Sequence, residues 1–143
     1  MKRLFAFAII AGALAFSVSS ASAQTLYSAH LYRGHSSCST GATDTSGARY
    51  GTFGITGDSY RTVSAYVTTD NLAPYRVYYV SIFEYGSSGC VLIQDVASFE
   101  TDGGGHGFVH FQFVTHTGEH HAWAWVQHGS STDIVKSTAL PIN

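Results

Sequence analysis

Histidine and tryptophan are concentrated in one part of the chain. Residues 103–128 contain six of the eight histidines and both tryptophans. Neutral imidazole binds copper or zinc, whereas aromatic rings beside amide groups suit stacking on sugars or docking to a partner protein. The segment therefore predicts either a transition-metal site or an aromatic binding face, depending on which way its side chains point.

The turn at residues 115–119 decides between these two hypotheses. Its order, Thr-His-Thr-Gly-Glu, is typical of a type I turn closed by a glycine bulge, which pairs the flanking strands as a hairpin. In this register, which we prefer, both tryptophans join the core and His106 faces His128. The candidate ligands for copper or zinc are then His106, His110 and His128.

A two-residue turn at Thr117-Gly118 would reverse the faces. The aromatic binding face would then consist of His121, Trp123, Trp125 and Gln127. An open surface of this kind is expected to contact glycans, proteins or another copy of the chain.

No segment carries a catalytic pattern. No serine occupies a nucleophile elbow, and the triple glycine at residues 103–105 precedes a strand pattern instead of a helix. Glu84, Glu100 and Asp102 would form a carboxylate pair only if the fold happened to bring them together. The sequence therefore predicts a protein that is not an enzyme.

The elements that position these residues are all strands. Period-2 alternation and β-branched or aromatic residues recur in short runs between glycine-containing turns. These runs predict eight strands, at residues 26–33, 49–55, 60–68, 76–85, 90–99, 107–115, 120–128 and 134–140. Consecutive strands are expected to pair as hairpins within one antiparallel β-sandwich.

Alternation also assigns faces and irregularities. Val63, Ala65 and Val67 are expected to point inward. A bulge at Gln94-Asp95 is expected to turn the carboxylate away from the apolar side chains around it. The residues from Thr56 to Ser59 are expected to form a turn, and Pro74 to mark a crossing between sheets.

The sequence from Thr62 to Phe108 resembles a class of exported domain. Leu72-Ala73-Pro74 leads into an alternating strand, and Ala97-Ser98-Phe99-Glu100-Thr101-Asp102 runs into the glycines of a turn. This order is similar to that of bacterial secreted immunoglobulin-like and fibronectin-like domains. The resemblance implies a sandwich of seven to eight strands and implies little about activity.

Residues 1–23 have the pattern of a cleaved signal peptide. Lys2 and Arg3 precede an uncharged apolar run, and Ala21-Ser22-Ala23 supplies the small residues of a cleavage site. The run is about 15 residues long, shorter than the roughly 20 that span a membrane. The sequence therefore predicts a bacterial secreted or periplasmic protein with one domain, residues 24–143, and no membrane span after cleavage. In that oxidising setting Cys38 and Cys90 are expected to form a disulfide.

The composition limits the class of partner. Hydrophobic residues make up 45% of the 143 positions and aromatic residues 14%, enough for a packed core. The predicted signal peptide holds two of the seven basic residues and none of the nine acidic ones. The remaining basic residues are scattered, which argues against nucleic acid as a partner. We expect an exported, non-catalytic binding or structural module without a required cofactor. The alternative is a histidine-dependent, transition-metal-binding protein.

Overall fold

The computed structural model describes residues 26–129 and 133–143. The predicted signal peptide, residues 1–23, lies outside the described residues. The described part is built from strands: β1 (Tyr27–Tyr32), β2 (Ser36–Ser37), β3 (Gly41–Ala42), β4 (Arg49–Ser59), β5 (Thr62–Thr69), β6 (Val77–Gly86), β7 (Gly89–Glu100), β8 (Gly107–Val114), β9 (Glu119–Gln127), β10 (Ile134–Ser137) and β11 (Leu140–Pro141). It contains no helix long and apolar enough to cross a membrane.

The long strands form one antiparallel sheet that curls nearly into a barrel. Its order is β7-β6-β9-β10-β1-β4-β5-β8, with β11 paired to β9, while β2 and β3 form a separate hairpin. The two end strands, β7 and β8, lie close to each other. The predicted all-β antiparallel fold with one disulfide is confirmed, and the two sandwich layers are opposite walls of this single curled sheet.

Alternating apolar side chains fill the interior of the curled sheet. Val63, Ala65 and Val67 of β5 are fully buried, as predicted, while the residues between them are half-buried. Every long strand contributes to the same core, which includes Leu31, Phe53, Ile55, Tyr78, Val80, Ile82, Phe99, Phe111, Phe113, Val126 and Val135. Each fully buried apolar side chain stabilises the fold by about 1.5–3 kcal/mol.

A bulge interrupts β7 where the sequence predicts it. Between the pairs made by Val80 and Ile82, β6 has one residue and β7 has three. Asp95 adopts a φ of 50°, is exposed, and donates its N–H to Ser81 Oγ at 3.0 Å. The bulge therefore keeps the carboxylate out of the core, where an unpaired charge would be costly.

The predicted hairpins of β7 with β8 and of β8 with β9 are wrong. β8 pairs with β5 along its whole length, and β9 pairs with β6 and β10. Residues 115–118 instead pass over the end of the β6–β7 hairpin, where Ser87 N–H donates to Gly118 O at 3.0 Å. Local turn chemistry does not select the partner of a strand. The alternating residues of β8 match those of β5 as well as they would match those of β9.

The predicted turn at residues 56–59 is also wrong. β4 continues through Ser59, and the chain reverses at Tyr60-Arg61, whose φ angles are 33° and 68°. Positive φ at both central residues is what a two-residue hairpin turn of type I′ requires. This turn lies at the same end of the barrel as residues 115–118, because Thr115 N–H donates to Arg61 O at 2.8 Å.

Candidate functional site

The outer face of β6, β9 and β10 carries the aromatic residues that the sequence analysis identified. Along β9, Ala122, Ala124 and Val126 are fully buried in the barrel. Alternation therefore places the four predicted members of the aromatic binding face on the outer side, namely His121, Trp123, Trp125 and Gln127. The preferred register, with both tryptophans in the core, is wrong because β9 pairs with β6 and not with β8.

Three aromatic rings stack on this outer face. The ring centroid of Phe83 lies 4.4 Å from that of Trp123 and 5.3 Å from that of Trp125, with interplanar angles of 10° and 16°. Lys136 Nζ lies 5.5 Å from the centre of the Trp125 ring and donates to Gly34 O at 2.8 Å. The rings of Phe83, Trp123 and Trp125, called here the aromatic stack, hold one another in fixed orientations.

The disulfide-linked β2–β3 hairpin covers one end of the aromatic stack. The predicted Cys38–Cys90 pair is confirmed, with Cα atoms 5.8 Å apart. Trp123 is 2% exposed, and its indole N–H donates to Cys38 O at 2.9 Å. Gly41 has a φ of 68°, and a Cβ there would collide with the Ser137 carbonyl and the Trp123 ring. Trp123 is thus committed to holding the hairpin, which leaves Trp125 as the accessible tryptophan.

Beside Trp125 lies a cleft of about 140 Å³, called here the Trp125 cleft. Its lining consists of Ser81, Leu92, Gln94, Trp125 and Gln127. The indole N–H of Trp125 has no hydrogen-bond partner among the described residues. The cleft therefore combines an aromatic ring, an apolar side chain, two amides and a hydroxyl, and none of these side chains titrates near neutral pH.

The three predicted metal ligands have separate surroundings. His106 Nδ1 lies 3.2 Å from Asp102 Oδ1, His110 is exposed on the outer face of β8, and His128 Nδ1 lies 2.7 Å from Val77 O. The predicted facing of His106 and His128 is wrong because β8 and β9 do not pair. In the described part of the chain, no three His, Cys, Asp or Glu side chains are grouped to hold a metal ion. Metal binding stays a prediction.

A buried carboxylate contacts a histidine at the end of the barrel crossed by residues 115–118. Glu84 is completely buried, and its Oε2 lies 2.6 Å from His116 Nδ1 and accepts the His116 backbone N–H at 3.1 Å. Its Oε1 has no partner among the described residues. The sequence analysis missed this contact, although Glu84 shares the inward parity of Val80 and Ile82, a signal that could have located it.

A second buried carboxylate, Glu119, lies on the same inner surface. Glu119 is 4% exposed, and neither of its carboxylate oxygens has a partner within the described ranges. It pairs with Gly86, two residues along β6 from Glu84, so the two glutamates are diagonal neighbours. β9 carries one extra residue here, His120, and this bulge switches Glu119 from the outer face of His121 to the inner face.

Glu119 also lines a second cleft, of about 540 Å³, called here the barrel-end cleft. Arg61, His116 and His120 line it as well. The Arg61 guanidinium is positioned by its Nε, which donates to Thr115 O at 3.1 Å. The barrel-end cleft therefore brings a cation, two imidazoles and a buried carboxylate together on segments that are distant in the sequence.

Tyr78 forms a buried polar contact that is separate from both clefts. Its hydroxyl donates to the Asp133 carboxylate and accepts the Ala73 N–H at 3.2 Å, and Asp133 also pairs with Arg33 at 2.6 Å. Burial, followed by the bond to Asp133, raises the pKa of Tyr78 to about 12. This network fastens the loop at Pro74, which precedes β6, to the start of β10.

Comparison with known proteins identified no relative of this chain. No protein family, no curated protein and no solved structure matches the chain. The resemblance to immunoglobulin-like and fibronectin-like domains is thus one of strand pattern. The function has to be inferred from the geometry of the two clefts.

Proposed function

We propose that the protein is a non-catalytic binding module that takes up a carbohydrate at the Trp125 cleft. The observation that carries the proposal is the lining of this cleft, in which Trp125 lies among Ser81, Leu92, Gln94 and Gln127. The predicted signal peptide and the disulfide support a role outside the cytosol.

The chemistry of the lining suits a sugar ring. An aromatic ring offers an apolar surface to the C–H groups of a pyranose, and amide side chains both donate to and accept from its hydroxyls. Gln94 and Gln127 supply these amides from β7 and β9, on either side of β6.

The cleft is held in shape before any ligand arrives. Phe83 and Trp123 stack against Trp125, and Trp123 is fixed in turn by its bond to Cys38 O under the disulfide. The bulge at Asp95 holds the Ser81 hydroxyl through a hydrogen bond of 3.0 Å. A preformed site loses less side-chain entropy when it binds, so even a few sugar contacts can give measurable affinity.

The absence of acid and base groups supports binding over catalysis at this site. None of the five lining side chains is a carboxylate, histidine, lysine or cysteine. Hydrolysis of a glycosidic bond generally uses two carboxyl groups that flank the bond. The Trp125 cleft offers a surface for recognition and no proton donor of that kind.

A glycan screen followed by titration tests the proposal. The protein is screened on immobilised glycans, and binders are titrated while the tryptophan fluorescence is recorded. Trp125→Ala should weaken binding at least tenfold, because it removes the stacking surface, and Gln127→Ala should weaken it less. Phe108→Ala is the matched control, since Phe108 is a 62% exposed aromatic residue on β8, away from the cleft.

Two results would contradict the proposal. One is the absence of any glycan that binds the wild-type protein in preference to Trp125→Ala. The other is a dimer in sedimentation that dissociates on Trp125→Ala, which would assign the outer face to contacts between copies of the chain.

A further inference from the structure

We propose that the carbohydrate site takes a neutral oligosaccharide of at least two linked sugars, with Trp125 stacking on one sugar ring and Tyr79 on the next. This inference rests on the proposed function and names the class of ligand for the same site. The Trp125 cleft measures about 140 Å³, below the roughly 300–1,000 Å³ of most small-molecule sites. A ligand bound there therefore extends beyond the rim of the cleft.

The register of β6 and β9 places Tyr79 next to the Trp125 cleft. Tyr79 is directly opposite Gln127, one of the lining residues. Two residues along β6, Ser81 is directly opposite Trp125. Tyr79 and Trp125 are therefore diagonal neighbours, which in an antiparallel pair are about 7–8 Å apart. This distance exceeds the width of a six-membered ring, so two linked sugars are needed to contact both side chains.

Tyr79 presents its ring on the outer face of the barrel. Its neighbours in the sequence, Tyr78 and Val80, are fully buried, so alternation points Tyr79 outward. It is 40% exposed although β6 has a paired strand on each side. In the opposite direction along β9, Trp123 is 2% exposed and is covered by the β2–β3 hairpin. A sugar chain can thus continue from Trp125 toward Tyr79 and not toward Trp123.

The surroundings of Tyr79 repeat those of Trp125. Trp125 has the hydroxyl of Ser81 opposite it and the amide of Gln127 in the same cleft. Tyr79 lies between Ser98 on β7, which is exposed, and Gln127 on β9. Each aromatic ring therefore has a hydroxyl and an amide beside it, the combination that suits one sugar. The repeat of this set along the sheet supports two sugar positions.

The charges around the two rings favour a neutral sugar. Asp95 is exposed in the bulge at the edge of the Trp125 cleft. Glu100 is exposed farther along β7, two residues beyond the partner of Tyr79. The ammonium of Lys136, on β10, is bonded to a backbone carbonyl. The two carboxylates would repel a chain of uronic acids, whereas neutral sugars carry no such penalty.

Titration with sugars of increasing length tests the inference. The neutral probes are glucose, mannose, xylose and N-acetylglucosamine, each from the monosaccharide to the linear tetrasaccharide. They are added at up to about 10 mM, which detects weak binding, while the tryptophan fluorescence is recorded. The best disaccharide should bind about 3- to 10-fold more tightly than its monosaccharide, the gain expected of one further aromatic contact. Oligomers of galacturonic acid are the acidic comparison and should bind more weakly.

Two substitutions isolate the contribution of Tyr79. Tyr79→Ala should weaken the disaccharide by about 3- to 10-fold and leave the monosaccharide unchanged, because only the second sugar contacts Tyr79. Tyr79→Phe keeps the ring and should retain most of the affinity, which separates stacking from the hydroxyl. Tyr27→Ala is the matched control and should bind like wild type, since Tyr27 is a 42% exposed tyrosine on β1, outside the Trp125 cleft.

The results separate this inference from the proposed function. Binding that depends on Trp125 but is equal for monosaccharide and disaccharide, or equal in Tyr79→Ala and wild type, overturns the role of Tyr79 and leaves the carbohydrate site intact. Tighter binding of the galacturonic acid oligomers overturns the assignment of a neutral ligand. Absence of any sugar that prefers wild type to Trp125→Ala overturns the proposed function and this inference with it.

Discussion

Removal of the Cys38–Cys90 disulfide should lower the thermal stability of the protein by a calculable amount. The bridge joins residues separated by 52 positions. For a loop of that size the chain-entropy treatment gives up to about 4 kcal/mol, and native disulfides typically contribute about 2–4 kcal/mol. In a domain of this length each kcal/mol corresponds to about 4 °C, so Cys38→Ser with Cys90→Ser should lower the Tm by roughly 8–16 °C.

The fold should survive this change at room temperature. The β2–β3 hairpin keeps two other attachments, the bond from the Trp123 indole to Cys38 O and the bridge between Gly41 and Thr138. Melting is followed by far-ultraviolet circular dichroism, with Ser39→Ala in the same turn as the control variant. A Tm decrease of less than about 4 °C, or free thiols in the folded wild-type protein, would refute the reasoning.

Three other predictions concern groups outside the two clefts. The pKa of Tyr78 is raised from 10.0 to about 12, so its protonated hydroxyl stabilises the fold fully below pH 10 and this contribution is lost as the pH rises through 12. In denaturant titrations the stability of Tyr78→Phe should not show this alkaline loss, and an equal loss in the variant would contradict the prediction. Hydrogen bonds from the backbone N–H groups of His106 and Gly104 lower the pKa of Asp102 below 3.8. The ionised carboxylate therefore stabilises the fold above pH 3.8, and this stabilisation is lost as the pH falls through the lower pKa of the folded state. A nuclear magnetic resonance titration of the Asp102 carboxyl with a midpoint at or above 3.8 would disprove this. Because His106 and His128 have separate partners, we expect a His106→Ala, His128→Ala variant to bind Zn²⁺ no more weakly than wild type in calorimetry, and a stronger wild-type site would restore the metal hypothesis.

The sequence predicted those features that depend on neighbouring residues. Alternation placed Val63 and Val67 in the core, and the polar interruption at Asp95 located the bulge. The two cysteines allowed only one intramolecular pair, Cys38–Cys90. Each of these predictions needs only the local pattern or the presence of a single candidate partner.

The sequence did not predict which distant strands pair, and the candidate sites depend on that choice. A turn-like segment between β8 and β9 favoured a local hairpin, but β8 buries its apolar face by pairing with β5. Trp123 and Trp125 consequently lie on the outer face and not in the core. The barrel-end cleft was missed for a similar reason: the bulge at His120 reverses the parity of Glu119, and Arg61 joins it only through the curl of the sheet.

The central position of β1 bears on how the chain folds. In the described sheet β1 lies between β4 and β10. Its hydrogen bonds join the β4-β5-β8 portion to the β10-β9-β6-β7 portion. The ion pair at this junction, between Arg33 and Asp133, links residues 100 positions apart. Closing so long a loop carries an entropic cost before the contacts compensate it, which is characteristic of all-β domains that fold in milliseconds to seconds. During synthesis β1 must therefore keep one edge unpaired until β10 has emerged.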